Sequence, residues 1–330
     1  MNLSRRRFLY LAGAAGATSA GALPRASAQA YPARPLRWIV GFPPGGGADI
    51  VSRIMAPWLA ERIGQPVVIE NKPGASSNIS VQTVATSPPD GYTLLFVPAS
   101  AAVNVTLFDN LPFNLLRDIA PVSGLIDFPL VMVANPSLPA KTIAELIAYA
   151  KANPGKISIG SFGTGSTSHV AGELFKMMAG INMIHVPYRG GAPMVADVIG
   201  GQVQVAIDVL TGSLAHIRSG SLRALGMGGK NRSDILPDVP TIGETVAGYE
   251  ANSWCGVGVP RGTPGEIIER LNREINAGLA NPMVKARLAD VATTPIMFTP
   301  TEFGAYMAAE VNKWGKVIRS SGIRPESSGG

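Results

Sequence analysis

Residues 36–54 read LRWIVGFPPGGGADIVSRI and contain the pattern from which the fold class follows. The segment Leu36–Val40 is rich in β-branched and aromatic residues, as strands are, and residues 41–49 are rich in Gly and Pro, as loops are. From Ile50 to Ile63, apolar residues recur with the spacing of one helix face. The stretch therefore predicts a strand, a glycine-rich loop and a helix in direct succession.

Further segments extend this unit, and much of it recurs after residue 150. In the first half, Val67–Glu70 predicts a second strand, residues 81–85 a helix and Thr93–Val97 a third strand. The corresponding segments of the second half are a strand at Lys156–Gly160, a glycine-rich loop at Ser161–Ser166, a helix carrying Val170, Leu174, Phe175 and Met178, strands at Met183–Val186 and Val203–Ile207, and a helix near Pro193–Ile199. Each half reads β-loop-α-β-α-β, which predicts an α/β fold with parallel strands and right-handed crossovers.

Two β-rich segments, residues 130–136 and 256–260, link these halves, and each precedes a helix that begins with a predicted capping box. The capping pairs are Thr142 with Glu145 and Thr263 with Glu266, and a third pair, Thr299 with Glu302, begins the last helix. If the chain crosses between lobes at the two linking segments, one lobe is discontinuous. We therefore predict a first lobe built from residues 31–126 and 250–330 and a second lobe at 127–249.

The first 30 residues have the features of an export signal rather than of a folded segment. Paired arginines precede Phe8-Leu9, an Ala/Gly-rich apolar run follows, and small residues close the segment near Ala28 or Ala30. This order predicts a twin-arginine-type signal peptide over residues 1–30, cleaved near one of these two alanines, and hence a protein of the periplasm. A membrane anchor is disfavoured, because the apolar run is shorter than the roughly 20 residues of a spanning helix.

The composition limits the classes of partner and cofactor. The net charge is +6, but Arg5, Arg6, Arg7 and Arg25 lie in the signal, so 24 of the 28 basic residues face 22 acidic ones and the net charge falls to +2. Without a basic stripe, we expect no nucleic-acid partner. Cys255 is the only cysteine and there are three histidines, which excludes an intrachain disulfide and argues against a zinc site. We expect neither a metal nor a cofactor.

The two glycine-rich loops are the strongest functional signal. Each joins the first strand of a lobe to a helix, at the carboxyl end of parallel strands, where open α/β sheets bind ligands. A helix N-terminus offers unpaired N–H groups and about half a positive charge, so it binds an anion without Lys or Arg. Residues 44–48 and 163–167 contain no basic residue. If both loops face one cleft, they suit a small anion, such as one with a carboxylate at each end.

Single side chains near the loops are further candidates, each with an ordinary structural alternative. Asp49, just inside the first helix, is a ligand or loop-bracing residue, or simply a helix cap. His169, about one turn into the second helix, hydrogen-bonds in the cleft or packs within the helix layer. Asp208 closes the third strand of the second lobe and contacts the ligand or the other lobe, or caps the strand end. Ser100 lies just beyond the third strand of the first lobe, in the matching position. The candidate ligand-binding residues are Phe42, Pro43, Pro44, Gly45, Gly46, Gly47, Asp49, Ser100, Thr164, Gly165, Ser166, His169 and Asp208.

Other uses of the loops are disfavoured by the sequence. The dinucleotide pattern Gly-x-Gly-x-x-Gly fails in both, because Ile50 and Ser168 stand where the third glycine is needed. No Gly-Lys-Ser/Thr follows either loop, so a Walker phosphate loop is absent. Ser166 and His169 suggest a nucleophile and base, but no Gly-x-Ser-x-Gly elbow surrounds Ser166 and no acid is placed to orient the histidine. We expect no catalytic residue.

Together, these segments resemble the Bug proteins, the substrate-binding components of tripartite tricarboxylate transporters. The resemblance covers roughly residues 31–325 and rests on many short motifs in order. They are Tyr31-Pro32 with Pro35, Val40–Gly46 with Asp49, Asn71–Ala75, Pro89–Leu95, Gly163–Ser166 with His169, Val186–Gly190, Leu236–Thr241 and Trp314–Ile318. The chain departs from the family pattern at Ser76-Ser77, where members often carry two glycines, and at Pro98–Ala102, a segment that is often Ser-rich.

The resemblance implies a two-lobe, type II-like Venus-flytrap fold in which each lobe is a mostly parallel sheet flanked by helices. It also implies that Phe42 to Gly47 hold one ligand carboxylate, while Thr164 to Ser166 with Asp208 shape the other end. The expected function is capture of a small carboxylate or dicarboxylate by a monomer and its delivery to the transporter's membrane subunits, without catalysis. The alternatives are a receptor that presents its ligand to a sensor kinase, and a periplasmic oxidoreductase or hydrolase.

Overall fold

The computed structural model describes residues 31–324, whose strands form two sheets. The strands are β1 (Leu36–Val40), β2 (Val67–Asn71), β3 (Thr93–Pro98), β4 (Ile119–Phe128), β5 (Leu130–Ala134), β6 (Ser158–Ser161), β7 (Ile184–Pro187), β8 (Val205–Val209), β9 (Arg223–Met227), β10 (Ser253–Pro260) and β11 (Thr294–Pro295). The helices are α1 (Gly47–Ile63), α2 (Asn78–Ala85), α3 (Ala99–Leu107), α4 (Leu115–Asp118), α5 (Ile143–Ala152), α6 (Thr167–Ala179), α7 (Gly191–Ile199), α8 (Leu210–Arg218), α9 (Gly265–Ala280), α10 (Pro282–Asp290) and α11 (Pro300–Ser321). The strands and helices predicted for the two half-units are confirmed.

Each sheet is mixed rather than mostly parallel. The first has the strand order β11-β4-β10-β3-β1-β2 and the second the order β7-β6-β8-β5-β9. Among the strands of residues 31–324, β1 pairs parallel with its neighbours β2 and β3, and β6 with its neighbours β7 and β8. The strands adjoining the chain crossings, β4, β5 and β10, pair antiparallel with their neighbours. The predicted β-α-β units therefore supply only the parallel part of each sheet.

The chain passes between the two sheets twice, at neighbouring places. The first crossing lies between β4 and β5, at Pro129, and the second comes just before β10. The N–H of Ala251 donates to the carbonyl of Gly228 at 2.8 Å, and Nδ2 of Asn252 donates to Oδ2 of Asp127 at 2.7 Å. This last bond joins one crossing to the other. The exact lobe boundaries at residues 126 and 250 stay a prediction.

The predicted helix starts have different outcomes. The Thr299 capping box is present. At Thr142 only half of the predicted box forms: its side chain accepts the N–H of Glu145 at 3.1 Å, but the Glu145 carboxylate accepts the N–H of Lys141 instead of that of Thr142. The capping box predicted for Thr263 and Glu266 is wrong. The Thr263 hydroxyl donates to the carbonyl of Pro260 at 2.8 Å, and α9 begins without a side-chain cap. The hydroxyl is therefore used by the turn that ends β10.

Helices α3 and α11 flank the first sheet but also pack against the second lobe. Trp314 and Ile318 of α11 and Leu107 of α3 belong to the same buried apolar cluster as Val170 and Phe175 of α6. The spacing of four residues places Trp314 and Ile318 on one helix face, which explains their shared burial. The two lobes therefore meet through buried apolar side chains as well as through the chain crossings.

The predicted signal peptide and its cleavage site lie in residues 1–30, outside the described residues. Among the helices of residues 31–324, none combines the length and the hydropathy needed to cross a membrane.

Candidate ligand-binding site

The first glycine-rich loop follows β1, the middle strand of the parallel trio in its sheet. Residues 43–47 are exposed and Phe42 is half-buried. Gly45 has a φ of +82°, in the left-handed region that favours glycine. Gly46 is the extended N-cap of α1, and no side chain caps this helix start. The first N–H groups of α1 thus lack a side-chain acceptor, as an anion site requires.

The side chain of Asp49 is hydrogen-bonded to this loop and holds its conformation. Its side chain is buried, its Oδ2 accepts the N–H of Gly45 and the Nε of Arg53, each at 2.9 Å, and its Oδ1 accepts the Nδ2 of Asn71 at 3.0 Å. The same Nδ2 donates to the carbonyl of Phe42 at 3.0 Å. The hydrogen bond from Arg53 lowers the pKa of Asp49 to about 2, and the bonds from Gly45 and Asn71 act in the same direction. Both carboxylate oxygens are engaged inside the first lobe.

The second glycine-rich loop follows β6, which again lies between its two parallel neighbours. Gly163 and Gly165 have φ values of +128° and +78°. Ser166 is the extended N-cap of α6, and its hydroxyl accepts the N–H of His169 at 3.2 Å. Thr164 is half-buried and Gly165 is buried. This loop has the same construction as the first, except that a side chain caps its helix.

Ser166 and His169 do not form a nucleophile–base pair. The Ser166 hydroxyl donates to the carbonyl of Gly163 at 2.6 Å, while Nδ1 of His169 accepts the N–H of Gly165 at 3.2 Å. The hydroxyl is therefore hydrogen-bonded to the backbone and not to the imidazole, whereas a serine hydrolase needs the imidazole to take the hydroxyl proton. This geometry argues against the hydrolase alternative.

A short series of contacts links the two loops. The Ser77 hydroxyl donates to the carbonyl of Gly41, the first residue of the first loop, at 3.3 Å. Nδ2 of Asn104, on α3, donates to the carbonyl of Ser76 at 2.9 Å. The Oδ1 of Asn104 lies 3.6 Å from where a Cβ on Gly165 would be, in the second loop. Helix α3 therefore contacts residue 76 through Asn104 and lies beside Gly165 through Leu107, whose Cδ2 is the atom nearest to that Cβ position. This arrangement supports a shared cleft.

The segment that makes this link has an unusual backbone. Ala75, Ser76 and Ser77 have φ values of 45°, 52° and 73°, so three consecutive non-glycine residues are left-handed. For an ordinary L-residue this conformation costs about 1–2 kcal/mol. Ser76 and Ser77 are the positions at which this chain departs from the glycines of the family pattern. The bonds from Asn104 and to Gly41 hold the segment in this conformation.

Ser100 lies in the first turn of α3, which begins directly after β3, and its buried Oγ has no partner within residues 31–324. Asp208, on β8, is 1% exposed; its Oδ2 accepts the Ser213 hydroxyl at 2.7 Å, and its Oδ1 likewise has no partner there. Burial raises the pKa of Asp208 to about 6. A buried polar group without a partner costs about 1–3 kcal/mol. These atoms are therefore candidates for ligand contact at the third strand of each lobe.

Sequence reasoning did not identify Asn71 and Asn104 as side chains that hold the loops. Asn104 lies four residues after Ser100, a spacing that places both on one helix face, and this was the available signal. Its role depends on a tertiary contact with Ser76 that no local pattern encodes. Among the described residues, no group of three or more His, Cys, Asp or Glu side chains is arranged to hold a metal ion.

Comparisons with known proteins assign a family to this arrangement. Residues 51–323 match the family model described as "Tripartite tricarboxylate transporter family receptor". The chain is 40% identical over 329 residues to protein BugT of Bordetella pertussis, covering 98% of this chain and 99% of that protein.

Solved structures give the same result. R. palustris Rpa4515 with adipate has a TM-score of 0.81 and 35% sequence identity, covering 89% of this chain and 99% of that one. MatC from Rhodopseudomonas palustris with bound malate has a TM-score of 0.76 and 28% identity, covering 87% and 100%. Both chains are similar along almost their whole length, so the two-lobe α/β fold is confirmed.

Proposed function

Because this chain belongs to the tripartite tricarboxylate transporter receptor family, a family of periplasmic solute-binding receptors and not of enzymes, we propose that it captures a small carboxylate or dicarboxylate between its two lobes and delivers it to a membrane permease. The similar proteins Rpa4515 and MatC were solved with adipate and malate, which are both dicarboxylates. The permease is a separate polypeptide, the membrane part of a tripartite tricarboxylate transporter.

One observation carries the proposal: two helix N-termini, each at the carboxyl end of a parallel trio of strands, are presented by glycine-rich loops without a basic residue. Oriented backbone N–H groups and the helix dipole stabilise an anion at such a place. Helix α3 contacts Ser76 through Asn104 and lies beside Gly165 through Leu107, which supports a single cleft between the loops. In this proposal Phe42 to Gly47 hold one carboxylate and Thr164 to Ser166 the other end of the ligand.

Ser100 on α3 and Asp208 on β8 are two further side chains of the proposed site. Each has a buried oxygen without a partner in the described part of the chain, and a polar group of the ligand would satisfy it. The raised pKa of Asp208 means that its carboxyl group carries a proton at mildly acidic pH. A protonated carboxyl group donates a hydrogen bond and does not repel an anionic ligand.

The proposed location is the periplasm, reached by the twin-arginine-type signal of residues 1–30. The measurement is the N-terminal mass of the protein recovered from a periplasmic fraction. Cleavage near Ala28 or Ala30 supports the proposal, and a retained N-terminus contradicts it.

The ligand class is tested with protein that has been unfolded, freed of carried-over ligand and refolded. A ligand at a hundredfold excess over its Kd stabilises by about 2.7 kcal/mol, which for a chain of this size raises Tm by about 4 °C. We expect such shifts with members of a carboxylate panel that includes adipate and malate. Shifts with nucleotides alone, or turnover of any panel member, would contradict the proposal.

A pair of variants at Gly47 isolates the backbone donor. Gly47→Pro removes one N–H at the first helical position, where proline fits, whereas Gly47→Ala keeps it. Room for a side chain exists, since the nearest atom to a Cβ there is Cε1 of Phe128 at 3.5 Å. A hydrogen bond to a charged group contributes about 1.5–3 kcal/mol. We expect the proline variant to bind the carboxylate about ten- to a hundredfold more weakly than the alanine variant. Equal affinities of the two variants would show that the N–H of Gly47 does not bind the ligand.

A further inference from the structure

The two glycine-rich loops contain the same internal hydrogen bond. In the first, the N–H of Gly45 donates to Oδ2 of Asp49 at 2.9 Å, and in the second the N–H of Gly165 donates to Nδ1 of His169 at 3.2 Å. Donor and acceptor are four residues apart in both loops, and each acceptor is the third residue of its helix. The glycine φ values, +82° and +78°, also agree. Asp49 and His169 are therefore equivalent positions in the two lobes.

Asp49 is held in place by hydrogen bonds to a charged and a polar side chain, and His169 is held by ring stacking. Asp49 is fixed by Arg53 and Asn71, as described above. His169 stacks on His185 with ring centroids 3.7 Å apart and an angle of 8° between the ring planes. Nε2 of His185 lies 2.7 Å from the hydroxyl of Ser161, the residue with which β6 ends and the second loop begins. His185, which sequence reasoning did not single out, thus connects the ring of His169 to the start of the same loop.

The hydrogen bond from Gly165 fixes the tautomer of His169. A nitrogen that accepts an N–H carries no proton of its own, so in the neutral ring the proton lies on Nε2. That nitrogen is 3.8 Å from Oε1 of Glu173, which pairs with Lys176 at 2.6 Å. Burial lowers the pKa of His169 to about 3, and the nearby His185 and Lys176 act in the same direction. The imidazole therefore stays neutral at neutral pH.

We propose that neutral His169, held by its stack on His185, is the positioning residue of the second ligand loop, in the role that Asp49 has in the first. This inference rests on the proposed function, because the loop matters only if it binds the ligand. It also assigns the N–H of Gly165 to the protein's own framework, so this amide is not a donor to the ligand. In this proposal other groups of Thr164 to Ser166 contact the ligand.

The charged and titratable groups around His169 come from three elements. His185 lies on β7, Glu173 and Lys176 lie on α6, and Arg324 follows α11. Together with His169, these four side chains line one cavity of about 390 Å³. Protonation of His169 at Nδ1 would replace an acceptor with a donor facing the N–H of Gly165. The hydrogen bond from Gly165 to His169 is thus present above the lowered pKa of His169 and is lost as the pH falls through about 3.

The test compares two replacements of nearly equal shape. Asn at position 169 has an acceptor oxygen with the reach of Asp49, whereas Leu has the same outline and no acceptor. We expect His169→Leu to bind the carboxylate probe, adipate or malate, about tenfold more weakly than His169→Asn, since one positioning hydrogen bond is lost. Both variants lose the ring stack, so a purely structural role of the ring would weaken both equally.

Two further measurements keep the inference testable on its own. The ¹⁵N shifts of the wild-type imidazole report which nitrogen carries the proton, and amide exchange at Gly165 reports its hydrogen bond. We expect a proton on Nε2, and faster exchange in His169→Leu than in His169→Asn. Equal affinities of the two variants, or a proton on Nδ1, would overturn the inference. If the wild-type protein binds no carboxylate at all, the proposed function fails, while the tautomer and the exchange rates still decide whether the brace exists.

Discussion

Replacing Gly165 with alanine should destabilise the protein more than the same change at Gly45. Both glycines are left-handed, with φ values of +78° and +82°, so an added Cβ has a conformational cost at either position. Their surroundings differ. A Cβ on Gly45 meets no atom within 4 Å, whereas a Cβ on Gly165 would overlap Cδ2 of Leu107 in α3. Comparing the two alanine variants therefore separates the cost of backbone strain from the cost of overpacking between the second loop and α3.

The expected magnitudes follow from these two terms. A left-handed alanine costs about 1–2 kcal/mol. Overpacking a buried contact adds about 1–3 kcal/mol. We therefore expect Gly45→Ala to lower the free energy of unfolding by about 1–2 kcal/mol and Gly165→Ala by about 2–5 kcal/mol. Urea denaturation followed by fluorescence measures both, and an unchanged m-value would show that the variants differ from the wild type in stability and not in the surface exposed on unfolding.

A double-mutant cycle then identifies the contact. Leu107→Ala removes the atom that blocks the new Cβ, so Gly165→Ala should cost less in the Leu107→Ala background than in the wild type. Residues in direct contact give coupling energies of about 0.5–3 kcal/mol. Equal destabilisation at the two glycines, or a cycle without coupling, would refute the claim that the second loop packs against α3.

Two further predictions concern pH. Burial raises the pKa of Asp208 to about 6 from 3.8, so its carboxyl group favours folding at low pH, and this contribution is lost as the pH rises through that range. Lowering the pH from about 6 to about 4 should therefore change Tm less favourably in Asp208→Asn than in the wild type. An unaltered slope would contradict a protonated buried carboxyl group. Asp49 has the opposite sign: its pKa is lowered to about 2, so its stabilising effect is present above its ordinary pKa and disappears as the pH falls toward 2. Asp49→Asn should lose stability at neutral pH but little at the acid end, and an equal loss across the range would show that the charge is not what braces the loop.

The repeated pattern of strand, loop and helix was predictable because hydrophobic periodicity is local. Leu36–Val40 and Ser161–Ser166 showed their structure in their own composition. Helix α3 was not predicted, because its N-cap is Pro98 and its first residues are alanine and serine, which give no capping signal. The antiparallel pairing of β4, β5 and β10 depends on where the chain crosses between lobes, and no local pattern specifies that.

The candidate site was predictable in its loops and less so in its side chains. Glycine spacing located both loops, because a left-handed turn before a helix requires glycine. The sequence could not show whether Asp49 and His169 face a ligand or the loop, since that depends on Asn71 and His185 arriving from neighbouring strands. Asn104 was missed for the same reason, because its partners Ser76 and Asn78 are more than 25 residues away in sequence.

The apolar seam between α11 and α6 limits how the two lobes can move. Trp314 and Ile318 are shared with the core of the second lobe, while Phe303 and Met307 of the same helix are buried against the first. A change of the angle between the lobes must therefore slide α6 along α11 as well as bend the crossings at Pro129 and Asn252. Packed helices allow only small sliding steps. We therefore expect the angle between the lobes to change by a short shear rather than by a wide rotation.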